Sequence, residues 1–514
     1  MSITSSTDVR VKPKIDPGSA RSKGNTAARS ITLAGSAHVL TTTRLRARGI
    51  GIATTSAKSG HQSAIPKPVH SVHRPPFLGH KLTIHAQLHC AGFPNVKLLS
   101  GFVTSRIALK ASADTAGKAV TLIITIVAAR RLNADPFGVM AYAMATGWLL
   151  GVATDAGLSM HLARETSRQA GRRLLLEVIS LRAGLAFVAV TAGVVMAPQM
   201  VPAHWRMQFI IIVLAQLAGA VNETIAHYFR GIQRSEIESA IHTAHRLVTL
   251  VWALIVLWLW RRLDYLAIAM LVPPLVAAVV SAAIAIRLSA HDTPATPDTP
   301  VLTPARFFRD VFPLGAGVMI SALYFRIDVY FIQLWHGFQP VGGYNAAFRL
   351  VEALRLLPAA VLAVTFPMLV TASDTQLVRR LAAALTGAGA LFALVCALGG
   401  SIIMPMIYGD AYAYAAPAFS ILALALPLFF LNYALTHQVI GWDGQVAYLL
   451  IATVALIANV IANIVLIPTQ GINGAAIATV LTEVVVTAGC IITLVHHERS
   501  AQRFIAKVHY EGSL

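Results

Sequence analysis

From about Ala111 to Val495 the chain is a succession of roughly twelve apolar stretches, each near the length of about twenty residues that a helix needs to cross a bilayer. Little sequence is left between them for soluble structure. A backbone in lipid has to satisfy its own hydrogen bonds, so these stretches are expected to be helices. The stretches fall near 112–129, 138–158, 176–196, 207–228, 246–260, 265–286, 312–335, 342–369, 381–405, 415–439, 446–467 and 471–495. The fold class expected is therefore all-α integral membrane, and function has to lie in the polar residues that interrupt the apolar runs.

Composition agrees: 56% of the 514 residues are hydrophobic and 12% charged, against about 25% charged in soluble domains. The net charge of +19 is unevenly placed. Residues 1–110 carry sixteen Lys and Arg against only Asp8 and Asp16, which leaves +5 for the rest and requires no nucleic-acid partner. The first 108 residues are rich in Ser, Thr, Gly, Pro, His and Arg and show no sustained period, so they are expected to be disordered. A start codon placed too early, a native tail and an organellar transit peptide all fit that composition. Cys90, Cys396 and Cys490 match no metal-ligand spacing, and no cofactor motif appears. A Gly-rich phosphate loop, a His/Cys cluster and a nucleophile elbow are all missing, and the outer loops are short, so no enzyme is expected.

Arginines in the short loops give the orientation. One alternate set holds Arg164, Arg168, Arg172, Arg173, Arg230, Arg234, Arg246, Arg287, Arg306, Arg309, Arg379 and Arg380. The other holds Arg130, Arg131, Arg206, Arg261 and Arg262. The first set is expected in the cytoplasm, with both termini beside it. The Pro-rich stretch 288–305 divides the spans into six (109–287) and six (306–497), followed by a tail, 498–514. The piece from Pro304 to Phe312 suits a short interfacial helix. Pro136-Phe-Gly138 before the second span and Pro340-Val-Gly342 before the eighth are offset by 204 residues. That is a step of six spans, the mark of a parallel repeat.

Ionisable groups at membrane depth are costly and so face a cavity or a partner. In the eighth span Asn345, Arg349 and Glu352 share a face, with Arg355 on its shoulder. Arg349 and Glu352 can pair at i, i+3 as a structural ion pair; Arg355 exceeds that pairing and favours a cavity holding an anion. Arg326 and Asp328 in the seventh span point to opposite sides, so each needs its own partner. Gln216, Glu223 and His227 share a face of the fourth span, where Glu223 and His227 can carry a proton or pin helices together. Asn459 and Asn463 read as interhelical glue. Lys118 and Asp114 form an i, i+4 pair near the start of the first span, suited to snorkelling. Asp155 and Glu483 are single charges near helix ends.

Several stretches resemble the Wzx-type polysaccharide flippases of the multidrug/oligosaccharidyl-lipid/polysaccharide exporter superfamily. They are Ala129-Arg-Arg-Leu-Asn-Ala-Asp-Pro-Phe-Gly138 with Asp155-Ala-Gly157-Leu-Ser159; Arg326-Ile-Asp328 with Gly343-Tyr-Asn-Ala-Ala-Phe-Arg349; Ile407-Tyr-Gly-Asp410 before Ala415-Ala-Pro417; and Gly471-Ile-Asn-Gly474-Ala-Ala-Ile-Ala-Thr479. The resemblance covers about 110–495. It implies two six-helix bundles around a central cavity, in a multi-pass protein of a bacterial inner membrane. It also implies an undecaprenyl-diphosphate-linked oligosaccharide as cargo, with a polysaccharide polymerase and co-polymerase as possible partners. The cationic cavity residues of such families carry over to Arg326, Arg349 and Arg355, and to Lys118, with Asn345 beside them. Glu223, Asp328, Glu352 and His227 are the candidates for coupling to an ion gradient. The second span lacks a basic residue before His161, which disfavours a lipid II substrate. A cation-coupled multidrug extruder of the same fold would need an acidic cavity, and a membrane-embedded polymerase or ligase would need a large outer loop. A non-transporting membrane scaffold would be separated from these by an activity measurement.

Overall fold

The computed structural model describes residues 117–167, 172–289, 312–358, 361, 375–441 and 444–511. The segment 1–108, Asp114, the linker from 290 onward and nearly all of the expected interfacial helix lie outside them. Every regular element among the described residues is helical. Among the described residues nine helical runs are long and apolar enough to cross a membrane, and a tenth is counted if a pair bent by 45° forms one span. The first and eighth expected spans are present as α1, described over 117–131, and the 17-residue α10 (Phe338–Leu354).

The first half continues with α2 (Ala134–Asp155), α3 (Leu158–Thr166), α4 (Arg172–Met200), α5 (Arg206–Gly231), α6 (Ser235–Leu259) and α7 (Leu263–Ser289). The second half comprises α8 (Phe312–Tyr324), α9 (Ile327–His336), α10, α11 (Thr375–Tyr408), α12 (Ala416–Ala423), α13 (Leu426–Gly441), α14 (Gln445–Gln470) and α15 (Ile472–Glu511). In the first half α5 packs on α2 and α7; in the second α14 packs on α8 and α15.

Several boundaries differ from the sequence expectation. The fifth span, expected to start at 246, begins at Ser235, because polar residues can extend a helix past the apolar window that a span search detects. Its added turns are tied down by Glu238, which accepts a hydrogen bond from Arg230 Nε at 2.8 Å. The seventh span is two helices rather than one. Arg326 N donates to Leu323 O and Val329 N to Arg326 O, so i→i+3 bonds replace the regular ladder there. The Asp328 carboxylate also accepts from the Val329 amide, at 2.8 Å. The tenth span breaks at Leu424–Ala425, because Pro427 has no N–H to donate to Ala423 O and its ring crowds that carbonyl. The chain of 498–511, expected as a tail, continues α15, and α7 likewise runs on to Ser289.

The two repeat glycines meet. A Cβ on Gly342 would lie 2.9 Å from the Phe137 ring and 3.3 Å from Gly138 N, and one on Gly138 would strike the backbone of Phe338. The equivalent turns of the two halves thus abut at the end of the molecule away from the arginine-rich loops. At this far end one continuous core joins both halves, from Phe137, Tyr142 and Phe209 through Tyr344 and Phe348 to Phe419 and Ala475. At the opposite, basic end two further cores lie apart. One uses only α3, α4, α5 and α7 (Leu162, Leu175, Phe229, Ala285), the other only α13, α14 and α15 (Val439, Ile451, Cys490). Shared packing at one end and separate packing at the other produces a V that opens toward the basic end.

Candidate functional site: a polar cavity between the two halves

The outer arms of the V are clasped by side chains from both halves. Arg130, closing α1, donates from Nε to Ile407 O at 2.7 Å and from Nη2 to Met406 O, the free carbonyls at the end of α11. Tyr330 donates to Thr146 at 3.0 Å. The Tyr142 ring packs on Tyr330 and Phe338, with centroids 5.2 and 5.7 Å away, and Phe137 meets Tyr412 edge-on. Below this seal a cavity opens in two adjoining parts. The larger, about 730 Å³, lies mainly among α1, α2, α3, α5 and α6; the smaller, about 320 Å³, lies among α8, α13, α14 and α15. Trp148, Val152 and Val318 line both.

The larger part has ionisable side chains among a mostly apolar lining. Glu223 lines it and accepts from Arg230 Nη2 at 2.7 Å; Arg230 also holds the buried Glu238. His227 turns Nδ1 toward the Glu223 carbonyl (2.9 Å) and receives Arg230 Nη1 on Nε2 (3.0 Å). His242 stands 3.8 Å from the Glu223 carboxylate. Arg182, only 2% exposed in the middle of α4, donates to Gly151 O at 2.8 Å and lies 3.8 Å from Asp155. The Asp155 carboxylate is further held by Ser159 Oγ, across the break where Ala156 and Gly157 take positive φ.

In the smaller part the Arg355 guanidinium lies over the Phe325 and Phe429 rings, 4.6 and 4.2 Å from their centroids. Two cation–π contacts hold the group in place. The same space is lined by Glu483, 5% exposed, which accepts from Asn432 Nδ2 at 2.8 Å.

The nine residues singled out from sequence separate into two groups. Arg355, Glu223 and His227 line the cavity. Arg326, Arg349 and Glu352 lie together in its wall. Glu352 Oε2 accepts from Arg349 at 2.7 Å and from Arg326 at 3.3 Å, and Arg326 also covers the Phe348 ring at 4.5 Å. Neither Arg326 nor Arg349 reaches the space of either cavity part. Asp328 accepts from Tyr344, which contacts Thr479 at 3.1 Å, and Asn345 is buried one residue on. Lys118 is exposed near the start of α1.

Sequence reasoning missed Arg182, His242, His245, Arg246 and Trp148, and set little store by Asp155 and Glu483. A charge at the centre of the third span was signal enough for Arg182. Glu238, His242, His245, Arg246 and Thr249 fall on one helical face, but only once the helix is allowed to begin at 235.

Two bundles of apolar helices, sealed at one end around an arginine-containing cavity, define a polytopic helical membrane protein. The structure is similar to a MATE transporter in complex with MaL6 (TM-score 0.55, 13% identity, 77% of this chain and 97% of that one). It is similar also to the inward closed conformation of the lipid II flippase MurJ (0.54, 12%, 74% and 86%). A third likeness is to a MOP superfamily transporter from Pyrococcus furiosus, described as having a binding pocket of reverse polarity (0.51, 14%, 76% and 95%). Residues 104–373 match the family model described as polysaccharide biosynthesis protein, and the chain belongs to that family. A probable flippase, AglR of Haloferax volcanii, is 29% identical over 165 residues, 30% of this chain. That match spans about a third of the relative's length, 34%.

Proposed function

We propose that this protein is a flippase that carries an undecaprenyl-diphosphate-linked oligosaccharide from the inner to the outer leaflet of a bacterial plasma membrane by alternating access. The observation that carries the reading is Arg355, a cation held over two rings at the wall of an interhelical cavity, with no hydrogen bond to its guanidinium among the described residues. A half-buried cation without a hydrogen-bond acceptor suits an anion that arrives, and a diphosphate presents oxygens suited to its fork. The larger part of the cavity, with Gln216, His227, His242, Thr249 and Trp148, offers donors, acceptors and an aromatic face to a sugar chain. The polyprenyl tail would stay in lipid.

On this reading the halves 109–287 and 306–497 are the moving bodies, the basic end is cytoplasmic, and the open V is an inward-facing state. Glu223 with His227 at the cavity, and Asp328 and Glu352 in its wall, remain the candidates for coupling to an ion gradient. The emerging repeat unit would pass to a polymerase and co-polymerase. The decisive assay is flipping of a fluorescent undecaprenyl-diphosphate oligosaccharide in proteoliposomes. Wild type should flip it, and Arg355→Ala should lower the rate at least tenfold. Arg355→Lys should recover part of it, keeping charge without the stacked fork. Transport of a cationic dye, unimpaired in Arg355→Ala and with no flipping by wild type, would instead establish the drug extruder.

A further inference from the structure

The smaller cavity part holds two charges that do not touch. Arg355 and Glu483 both line the same 320 Å³ space, yet form no ion pair within 4.0 Å. Glu483 is buried, and its carboxylate is held in place by a neutral amide. Asn432 Nδ2 donates to Oε2 at 2.8 Å, while Asn432 Oδ1 accepts from Thr487 at 2.7 Å, which fixes the amide's orientation. The titratable groups facing Glu483 are Tyr324 from α8, Tyr448 from α14 and Cys490 from α15. Tyr433 of α13, with the His437 ring tilted against it at 4.6 Å, also lines the wall. Among these only Arg355 carries a fixed charge, and its field reaches Glu483. The other nearby acid, Glu352, is already matched by Arg326 and Arg349.

One cation therefore serves one buried carboxylate while the space between them is free. A diphosphate placed on Arg355 would put two or more negative charges into that low-dielectric space beside Glu483. Like charges there repel strongly, and the least costly relief is for the weaker acid to take a proton.

We propose that Glu483 is the charge placeholder of the substrate site: it balances Arg355 in the empty carrier and binds one proton from the medium when the diphosphate takes its place. No bond other than the carboxyl O–H forms, and the same proton leaves when the substrate dissociates. The empty carrier then closes around a neutral Arg355–Glu483 set, and the loaded carrier around Arg355 with diphosphate and a neutral acid. Neither half-cycle has to bury an uncompensated charge. The inference rests on the diphosphate reading of Arg355, and its test separates the two.

The experiment is titration calorimetry of the purified full chain with undecaprenyl diphosphate, in buffers of different ionisation enthalpy. Wild type should take up about one proton per ligand more than Glu483→Gln does, which also corrects for protonation of the ligand itself. Affinity in Glu483→Gln should equal or exceed that of wild type and lose the corresponding dependence on pH. Glu483→Asp, which keeps a titrating group, should retain the uptake and controls for folding. Binding by wild type without net proton uptake, or uptake undiminished in a folded Glu483→Gln, would overturn the placeholder and leave the diphosphate site standing. Failure of wild type to bind the ligand would overturn the diphosphate reading and the placeholder together.

Discussion

At the scale of single residues, the wall cluster around Glu352 shows why a count of charges differs from a map of them. Its carboxylate serves both Arg349 and Arg326, the latter 5% exposed, so the three side chains carry one net positive charge. Removing the shared partner strands two cations, whereas removing Arg349 leaves Arg326 and Glu352 matched. Breaking a buried pair from one side costs about 3–5 kcal/mol. Glu352→Ala should therefore lose about that much stability and Arg349→Ala roughly 1–2 kcal/mol. Thermal unfolding in detergent micelles measures the order; equal losses would mean that Arg326 finds another acceptor. Arg355, by contrast, is stabilised by rings rather than by a carboxylate, which is why the transport assay is directed at it.

At the scale of elements, the closest approach between the halves is α2 against α10, and small residues make it possible. Ala141, Ala143 and Ala145 on one helix and Ala346 and Ala347 on the other are all buried in the shared core. Without lipid exclusion to drive them together, membrane helices associate through such close packing. Gly342→Val should lower stability by about 1–3 kcal/mol through overpacking against Phe137. Because that contact belongs to the far-end seal, the same change should raise reactivity of a cysteine placed at Tyr142. A stable variant with Tyr142→Cys still protected would show that the seal does not depend on this crossing. Broken spans are the other device at this scale: the α8–α9 and α12–α13 breaks put Phe325 and Phe429 against Arg355.

At the scale of the molecule, the separate basic-end cores and the shared far-end core assign access. In a background without the three native cysteines, a single cysteine at His245 should react with an impermeant thiol reagent supplied from the basic side, while one at Tyr330 should not. The reverse pattern would mean that the resting state faces the other way. Reporter fusions after Ala290 and at the C-terminus test which side that is. Both should give the cytoplasmic signal, and an outer signal at either would shift the span count by one.

Much of the architecture was legible before any coordinates. Apolar length fixes the spans, because lipid leaves the backbone no other partner than itself. Loop arginines suggested an orientation, and Pro136-x-Gly138 with Pro340-x-Gly342 marked two turns that meet in space. The residues needing partners were also legible: Arg326, Asp328, Arg349 and Glu352 are costly wherever they point. The i, i+3 pair of Arg349 with Glu352 was legible too, because both lie on one helix. The partners of Arg326 and Asp328 were not, since pairing between helices depends on their rotation and depth, set by packing across the whole bundle. Tertiary structure alone brought Arg326 onto Glu352, laid Arg355 over rings from two broken spans, and set Glu483, more than a hundred residues away in sequence, in the lining of the same cavity. A sequence states how many charges enter the membrane; only the fold decides which of them remain free to meet a substrate.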